Sequence, residues 1–168
     1  MRMDLRVHGE DVLRRRAAEI PEITPEIKEL AENMLETMYA CNGVGLAAPQ
    51  VGVSLRIAVI HVPQEEAGRL ILINPVILER KGSVKMEEAC LSVPGVDAPV
   101  ERAEGVTVEF TTLAGKRKKL TVTGITARAV QHEIDHLDGH VFIDRLSTGR
   151  RALLAGKLRK LSKRGGLA

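Results

Sequence analysis

Aromatic side chains are nearly missing from this sequence. Tryptophan is absent, and Tyr39, Phe110 and Phe142 are the whole complement. The core is therefore expected to be aliphatic, and the stacking platforms that hold single-stranded nucleic acid are not available. Cysteine is scarcer still: Cys41 and Cys90 alone cannot build a disulfide framework. The start, Met1-Arg2-Met3-Asp4, is charged and unlike a secretory signal, and no apolar run approaches the roughly 18 residues a membrane span needs. These absences point to a reducing cytoplasm without a membrane partner. There a cysteine serves as a metal ligand, a nucleophile or inert core. A net charge of +3 is too small by itself to imply DNA or RNA. No repeat is present, and 168 residues fit one domain spanning 1–168.

The clearest chemistry lies in Gln131-His132-Glu133-Ile134-Asp135-His136. On a helix, positions i and i+4 share a face, with Cβ atoms roughly 5–6 Å apart. His132 and His136 can therefore grip one metal ion from the same side, and Glu133 can reach a nearby water as a general base. Ala127, Val130, Ile134 and Leu137 recur at helical spacing, so residues 125–137 read as a helix, with Gly124 and Thr126 as start signals and Gly139 as its stop. An open catalytic site of this kind commonly takes three protein ligands. The remaining candidates are Cys41, Cys90, His8, His61 and His140. Cys90, in an irregular segment flanked by acids, ranks first; a downstream His or Glu, as in zinc proteases, competes with it.

The rest of the chain reads as a frame for this helix. Thr24 as N-cap and Pro25 at the first position open a second helix, with Ile27, Leu30, Ala31, Met34, Leu35 and Met38 on one face and Asn42-Gly43 at its end. Residues 55–62 and 70–78 read as strands, and Pro75 argues that the second is an edge strand or ends there. Residues 84–96 show no clear period. Residues 106–113 and 120–122 form a hairpin turning at Gly115. Residues 150–164 carry Arg150, Arg151, Lys157, Arg159, Lys160, Lys163 and Arg164 without an acid. Leu153, Leu154, Leu158 and Leu161 lie among them at helical spacing, which makes a basic amphipathic C-terminal helix, ending in Gly165-Gly166. The expected fold is α+β, with antiparallel sheets around the central helix that carries the motif, plus the C-terminal helix. The small-residue loop Gly43-Val-Gly-Leu-Ala-Ala-Pro-Gln50 lacks the lysine and glycine pattern of a phosphate cradle. Its small residues suit close backbone approach, and Gln50 is the one amide it presents.

Three segments together resemble the bacterial peptide deformylases: Gly43 to Gln50, Glu88-Ala89-Cys90-Leu91-Ser92, and Gln131 to His136. Their order and separation match, and the likeness extends to Val12-Leu13-Arg14, Asn74-Pro75 and Arg102. The resemblance implies a hydrolase that removes the N-formyl group from the formylmethionine of newly made polypeptides and releases formate. It implies that Cys90, His132 and His136 bind one divalent metal ion, ferrous in the cell, with zinc, nickel or cobalt as substitutes. Glu133 becomes the general acid/base, and the Gln50 amide and the Leu91 N–H the oxyanion donors. Val44, Gly45, Ile125 and Ala129, near the motifs, are candidates for the methionine pocket. The resemblance also suggests that the C-terminal helix docks at the ribosome near the nascent-chain exit. Two departures stand out. Ala89 occupies a position where the family has glycine, a cost of about 1 kcal/mol if that backbone needs positive φ, and Gly9-Glu10-Asp11 replaces Gly-Asp-Pro. The alternatives are a zinc endopeptidase and a non-catalytic ribosome- or RNA-binding module using the basic tail.

Overall fold

The strand expected around residues 55–62 is apolar at nearly every position, and the computed structural model, which describes residues 1–166, shows why. Strand β2 (Ile57–His61) is covered on both faces. Ile57 and Val59 pack with helix α1 (Pro25–Ala40), through Met34, Leu35 and Met38. Ile60 points the other way, into a cluster with Val130 and Ile134 of helix α2 (Gly124–Leu137). A period-2 backbone alternates its side chains between faces, so burying both faces requires continuous hydrophobicity. The sheet is antiparallel throughout, in the order β1 (Gly45–Ala47), β2, β3 (Arg69–Lys81), β6 (Gly105–Thr111), β7 (Arg117–Thr123). A second, two-stranded sheet pairs β4 (Val84–Ala89) with β5 (Asp97–Arg102). After a short 3-10 turn at Phe142–Arg145, helix α3 spans Thr148–Gly166.

Helix α1 begins as its sequence suggests. The Thr24 hydroxyl accepts from Ile27 N at 3.3 Å, Pro25 takes the first position, and Asn42 follows the end at φ 56°. Helix α2 runs between the large sheet and the β4–β5 hairpin, which leaves every residue from Thr126 to Leu137 buried. Its start differs from the expectation. Thr123 is the N-cap and makes no side-chain cap bond. The cap comes from Glu65 in the β2–β3 loop, whose carboxylate accepts from Ile125 N (3.0 Å), Thr126 N (2.7 Å) and Thr126 Oγ1 (2.6 Å).

Pro75 marks a change of partner rather than the strand's end. β3 pairs with β2 over residues 69–73 and with β6 at Ile73 and again from Val76 to Lys81, so at Pro75 itself the β2 side carries no ladder. The ladder to β6 shifts register between Ile73 and Val76, so the missing proline N–H falls in a bulge. Asn74, at φ 49°, turns its amide to Ile20, donating to its carbonyl and accepting from its N–H, both at 2.8 Å. The segment 84–96 is also more regular than its sequence suggests. Residues 84–89 form β4, and β5 follows the turn at Pro94-Gly95. Ala89 is the last residue of β4, paired with Asp97, and positive φ among the described non-glycine residues is confined to Asn42 and Asn74. The alanine in place of the family's glycine therefore carries no left-handed strain. On α3, Leu161 is buried and Leu154 and Leu158 pack on a cluster containing Cys90, Val96 and Phe142, but Leu153 is 84% exposed. Gly9, at φ 107°, lies against this helix, where a Cβ would fall 2.5 Å from Ser162 Cα.

Candidate metal centre and substrate cleft

The i, i+4 spacing on α2 brings His132 Nε2 and His136 Nε2 to 3.2 Å from each other. Cys90 follows directly after β4 and places its sulfur 3.2 Å from His136 Nε2. The three ligand atoms lie within 4.8 Å of one another, and all three residues are buried. Cys41, His8, His61 and His140 take no part in the cluster. His61 instead pairs with the Tyr39 hydroxyl at 2.8 Å, and His140 is 59% exposed beside Asp144. The downstream third ligand of a zinc protease therefore has no counterpart among the described residues.

One thiolate and two imidazoles aimed at a common point suit a single divalent d-block ion. The electrostatics agree. Burial holds the His136 imidazole well below its ordinary value, so it is neutral and its nitrogen is free to ligate. At His132, burial works the same way but is outweighed by the Cys90 sulfur and the Glu88 carboxylate, which call for positive charge at this point. Two buried polar atoms of the site have no hydrogen-bond partner: Glu133 Oε2 and His136 Nδ1. Unpartnered buried carboxylate oxygens are costly and are kept where chemistry uses them. Burial, above all, pushes the Glu133 carboxyl up to about 7, where a group gives and takes protons readily.

A layer of fixed charges holds the ligands in place. Glu88, on the buried side of β4, accepts a hydrogen bond from His132 Nδ1. This turns Nε2 of that ring toward the metal point and sets its tautomer. Burial alone would raise the Glu88 carboxyl, but His132 and Arg102 outweigh it and hold it well below the usual carboxylate range. Arg102 donates to Glu88 from Nε (3.1 Å) and Nη2 (2.7 Å), and from Nη1 to Asp135 (2.6 Å). Arg128 adds a 2.7 Å bond to Glu88, and Arg145 grips Asp135 with two bonds of 2.7 Å. Gln131 ties the helix to Ala103, accepting from its N–H and donating to its carbonyl at 3.0 Å each. Sequence reasoning places Glu88, Gln131 and Arg102 in the family's pattern but not in this network. No local pattern marks it: Lys85, Met86 and Glu87 are all exposed, and Glu88 is the one buried residue of β4.

Gln50 and Gly45 face the ligands from the other side. The Gln50 side-chain oxygen accepts from Ala47 N at 2.9 Å, which turns its NH2 toward Ser92 Oγ (3.3 Å) and Cys90 Sγ (3.5 Å). A Cβ on Gly45 would lie 2.6 Å from Glu133 Oε1, so only glycine lets β1 run this close to the carboxylate. Between these elements opens a cleft of about 350 Å³. Val44, Gly45, Leu91, Ile125 and Ala129 line it with Gln50, Glu133 and His132. All four residues expected at the apolar pocket are thus on its wall. Val44 and Ile125 are 41% and 44% exposed, so the cleft presents apolar surface that a side chain could cover.

Comparison with known proteins agrees with this geometry. The family model for polypeptide deformylases matches residues 3–152. A peptide deformylase of Endomicrobium trichonymphae is 42% identical over 164 residues, 98% of each chain. The crystal structure of peptide deformylase from Thermus thermophilus superposes with a TM-score of 0.91 at 40% identity, covering 97% of this chain and 99% of that one. A class I type b peptide deformylase from Acinetobacter baumannii, solved with Met-Ala-Ser bound, has a TM-score of 0.83 at 38% identity and covers 87% of this chain and 99% of its own. The family is metal-dependent and acts on formylated nascent peptides, and this chain, with its sheets, motif helix and ligand cluster, belongs to the polypeptide deformylase family.

Proposed function

We propose that this protein hydrolyses the formyl amide at the N-terminus of formylmethionyl polypeptides, yielding formate and a free amine. The observation that carries the reading is the convergence of Cys90, His132 and His136 beside an unpartnered Glu133 oxygen at the floor of an apolar cleft. Cys90, His132 and His136 hold one divalent ion; the donor set accepts zinc, nickel or cobalt, and the family resemblance favours ferrous iron in the cell. When bound, such an ion acidifies water and polarises a carbonyl oxygen.

The chain's own residues do the rest. Glu133 takes a proton from the attacking water and later delivers it to the leaving amine, so that the C–N bond breaks as the amine becomes protonated. Its raised affinity for protons suits both halves of that exchange. The Gln50 amide and the Leu91 N–H stabilise negative charge on the formyl oxygen; removing one such donor elsewhere costs about 2.7–4 kcal/mol. Val44, Gly45, Ile125 and Ala129 hold the methionine side chain. The Met-Ala-Ser peptide carried by the Acinetobacter relative supports a methionine-led ligand. A closed ligand set that includes Cys90 leaves the endopeptidase reading without support, and the built catalytic cleft does the same for a purely RNA-binding module.

The decisive assay is formate release from formyl-Met-Ala-Ser, with metal content measured on the same anaerobic preparation. Wild type should turn over and lose activity to a chelator, and Cys90→Ala should lose metal affinity. A Cys90→Ala protein that retains metal as well as wild type would overturn the ligand assignment.

Among the described residues no helix is long and apolar enough to cross a membrane. The proposed substrate, a newly made polypeptide, is what supports action in the cytoplasm. The exposed Arg150, Arg151, Lys157, Arg159 and Lys160 of α3 supply positive charge suited to the phosphates of ribosomal RNA. Because Leu154, Leu158 and Leu161 belong to the cluster around Cys90, deleting the helix would disturb the site as well. Glutamate substitutions at Lys157, Arg159 and Lys160 are the cleaner test. They should weaken ribosome binding and spare hydrolysis of short peptides; unchanged ribosome affinity removes the docking role.

A further inference from the structure

The junction between β7 and α2 has no loop. Thr123 ends the strand and Gly124 opens the helix at φ 63°. A helix start leaves backbone N–H groups without intrahelical partners, and Thr123 offers no side-chain bond to them. The β2–β3 loop supplies the missing acceptor. Glu65 N donates to Val62 O at 3.0 Å, which closes a turn and aims the carboxylate at the helix. One oxygen then accepts from Ile125 N, and the other from Thr126 N and Thr126 Oγ1. The fit is tight: a Cβ on Gly124 would stand 2.4 Å from Glu65 Oε2, so glycine is needed both for the backbone turn and for the carboxylate's place.

The first turn of α2 matters because of what it displays. Ile125 sits in that turn, half-exposed, on the wall of the cleft. Ala129 lies one turn further in, and the metal-binding face begins only at His132. Loss of a cap frays the first turn and leaves later turns in register. The position of Ile125 therefore depends on a residue far away in sequence that does not itself line the cleft.

We propose that Glu65 is a positioning residue for the substrate side-chain pocket: it clamps the α2 start and thereby fixes Ile125 against the methionine of the substrate. The kinetic consequence rests on the deformylase reading; the clamp itself does not. The test is Glu65→Ala and Glu65→Gln in the metal-loaded full chain, read two ways. Amide hydrogen exchange at Ile125 and Thr126 should quicken about tenfold in Glu65→Ala, a change that follows from loss of a cap, while exchange at His132 to His136 stays as in wild type. With formyl-Met-Ala-Ser, KM should rise about fivefold with kcat within about twofold, the pattern of lost substrate binding. Glu65→Gln, which keeps one carbonyl acceptor, should fall between the two in both readouts, and it serves as the folded variant if Glu65→Ala does not fold. The proposal is overturned if exchange at the two amides is unchanged, or if kcat drops while KM stays constant. A wild type that releases no formate would instead refute the deformylase reading, and the exchange data would still decide the clamp.

Discussion

Replacing Arg102 with methionine removes the centre of the buried charge layer behind the metal centre. The side chain is only 3% exposed, and its partners Glu88 and Asp135 are 6% and 9% exposed. The substitution deletes two hydrogen bonds to Glu88 and one to Asp135. Hydrogen bonds to charged groups contribute about 1.5–3 kcal/mol each. Simple addition overstates the loss, because neither carboxylate is stripped bare: Arg128 still reaches Glu88 and Arg145 still holds Asp135. Breaking a buried pair from one side costs about 3–5 kcal/mol, and about 4 is the expected value here. For a chain of this size that corresponds to a fall in melting temperature of about 8–16 °C. Urea unfolding followed by circular dichroism measures it directly. Lysine should rescue poorly, since a single ammonium cannot bridge both carboxylates as the forked guanidinium does. The same substitution frees Glu88 to shift, so the His132 ring loses its orientation, and metal affinity should drop about 10–100-fold. A loss of stability below about 1 kcal/mol would refute the reasoning. It would mean that dehydrating the Arg102 guanidinium costs as much as its attraction to the two carboxylates returns.

Four further outcomes follow from the same geometry. Gly45→Ala should crowd Glu133 Oε1 with a methyl group, and about a hundredfold loss of kcat is expected from displacing the base by an ångström or so, with an overpacking cost of about 1–3 kcal/mol in thermal stability. Glu133→Gln should lose about 10²–10⁴ in turnover yet melt no lower than wild type at pH 8, because it removes a carboxylate whose charged form burial opposes. On α3, Leu161→Ala should cost about 2–3 kcal/mol and Leu153→Ala less than about 0.5, a contrast in denaturant midpoints that follows from their exposures of 7% and 84%. Burial favours the neutral form of Glu65, but hydrogen bonds from Thr126 and Ile125 outweigh it and lower its pKa. A depressed carboxyl stabilises the fold above its unfolded value and loses that contribution as pH falls through the folded one. The Ile125 and Thr126 amide resonances should therefore hold steady down to about pH 4.5 and move together below it, as a pH series of heteronuclear NMR spectra would show.

Much of the site is legible in the sequence because its chemistry sits in short contiguous motifs. His132, Glu133 and His136 need only one helical turn to meet, and periodicity at Ala127, Val130 and Ile134 announces that turn. Thr24-Pro25 likewise marks a helix start with local means. The misreadings share a cause: each concerns a group whose partner is remote in sequence. Pro75 looks like the end of a strand, but β3 passes there from β2 to β6 across a bulge. Residues 84–89 show no apolar alternation because the buried member of β4 is Glu88, satisfied by Arg102, Arg128 and His132. Leu153 has the spacing of its neighbours, but the core under α3 is too narrow to cover it.

Taken alone, the sequence determined the elements and the reagents: an aliphatic α+β chain, a histidine pair with its glutamate, and a short set of candidates for a third ligand, Cys90 first among them and a downstream His or Glu in competition. Local backbone geometry suffices for that, since helical and strand periods act over a few residues. Tertiary structure decided which of them meet. Among the described residues it brought Cys90, and none of its rivals, to the two histidines, turned His132 by means of Glu88, pressed Gly45 against Glu133, and started the motif helix from a glutamate about sixty residues upstream. Those choices rest on burial and long-range charge pairing. A buried ion or orphaned N–H must find its partner wherever the fold brings one near, and no local pattern records where that is.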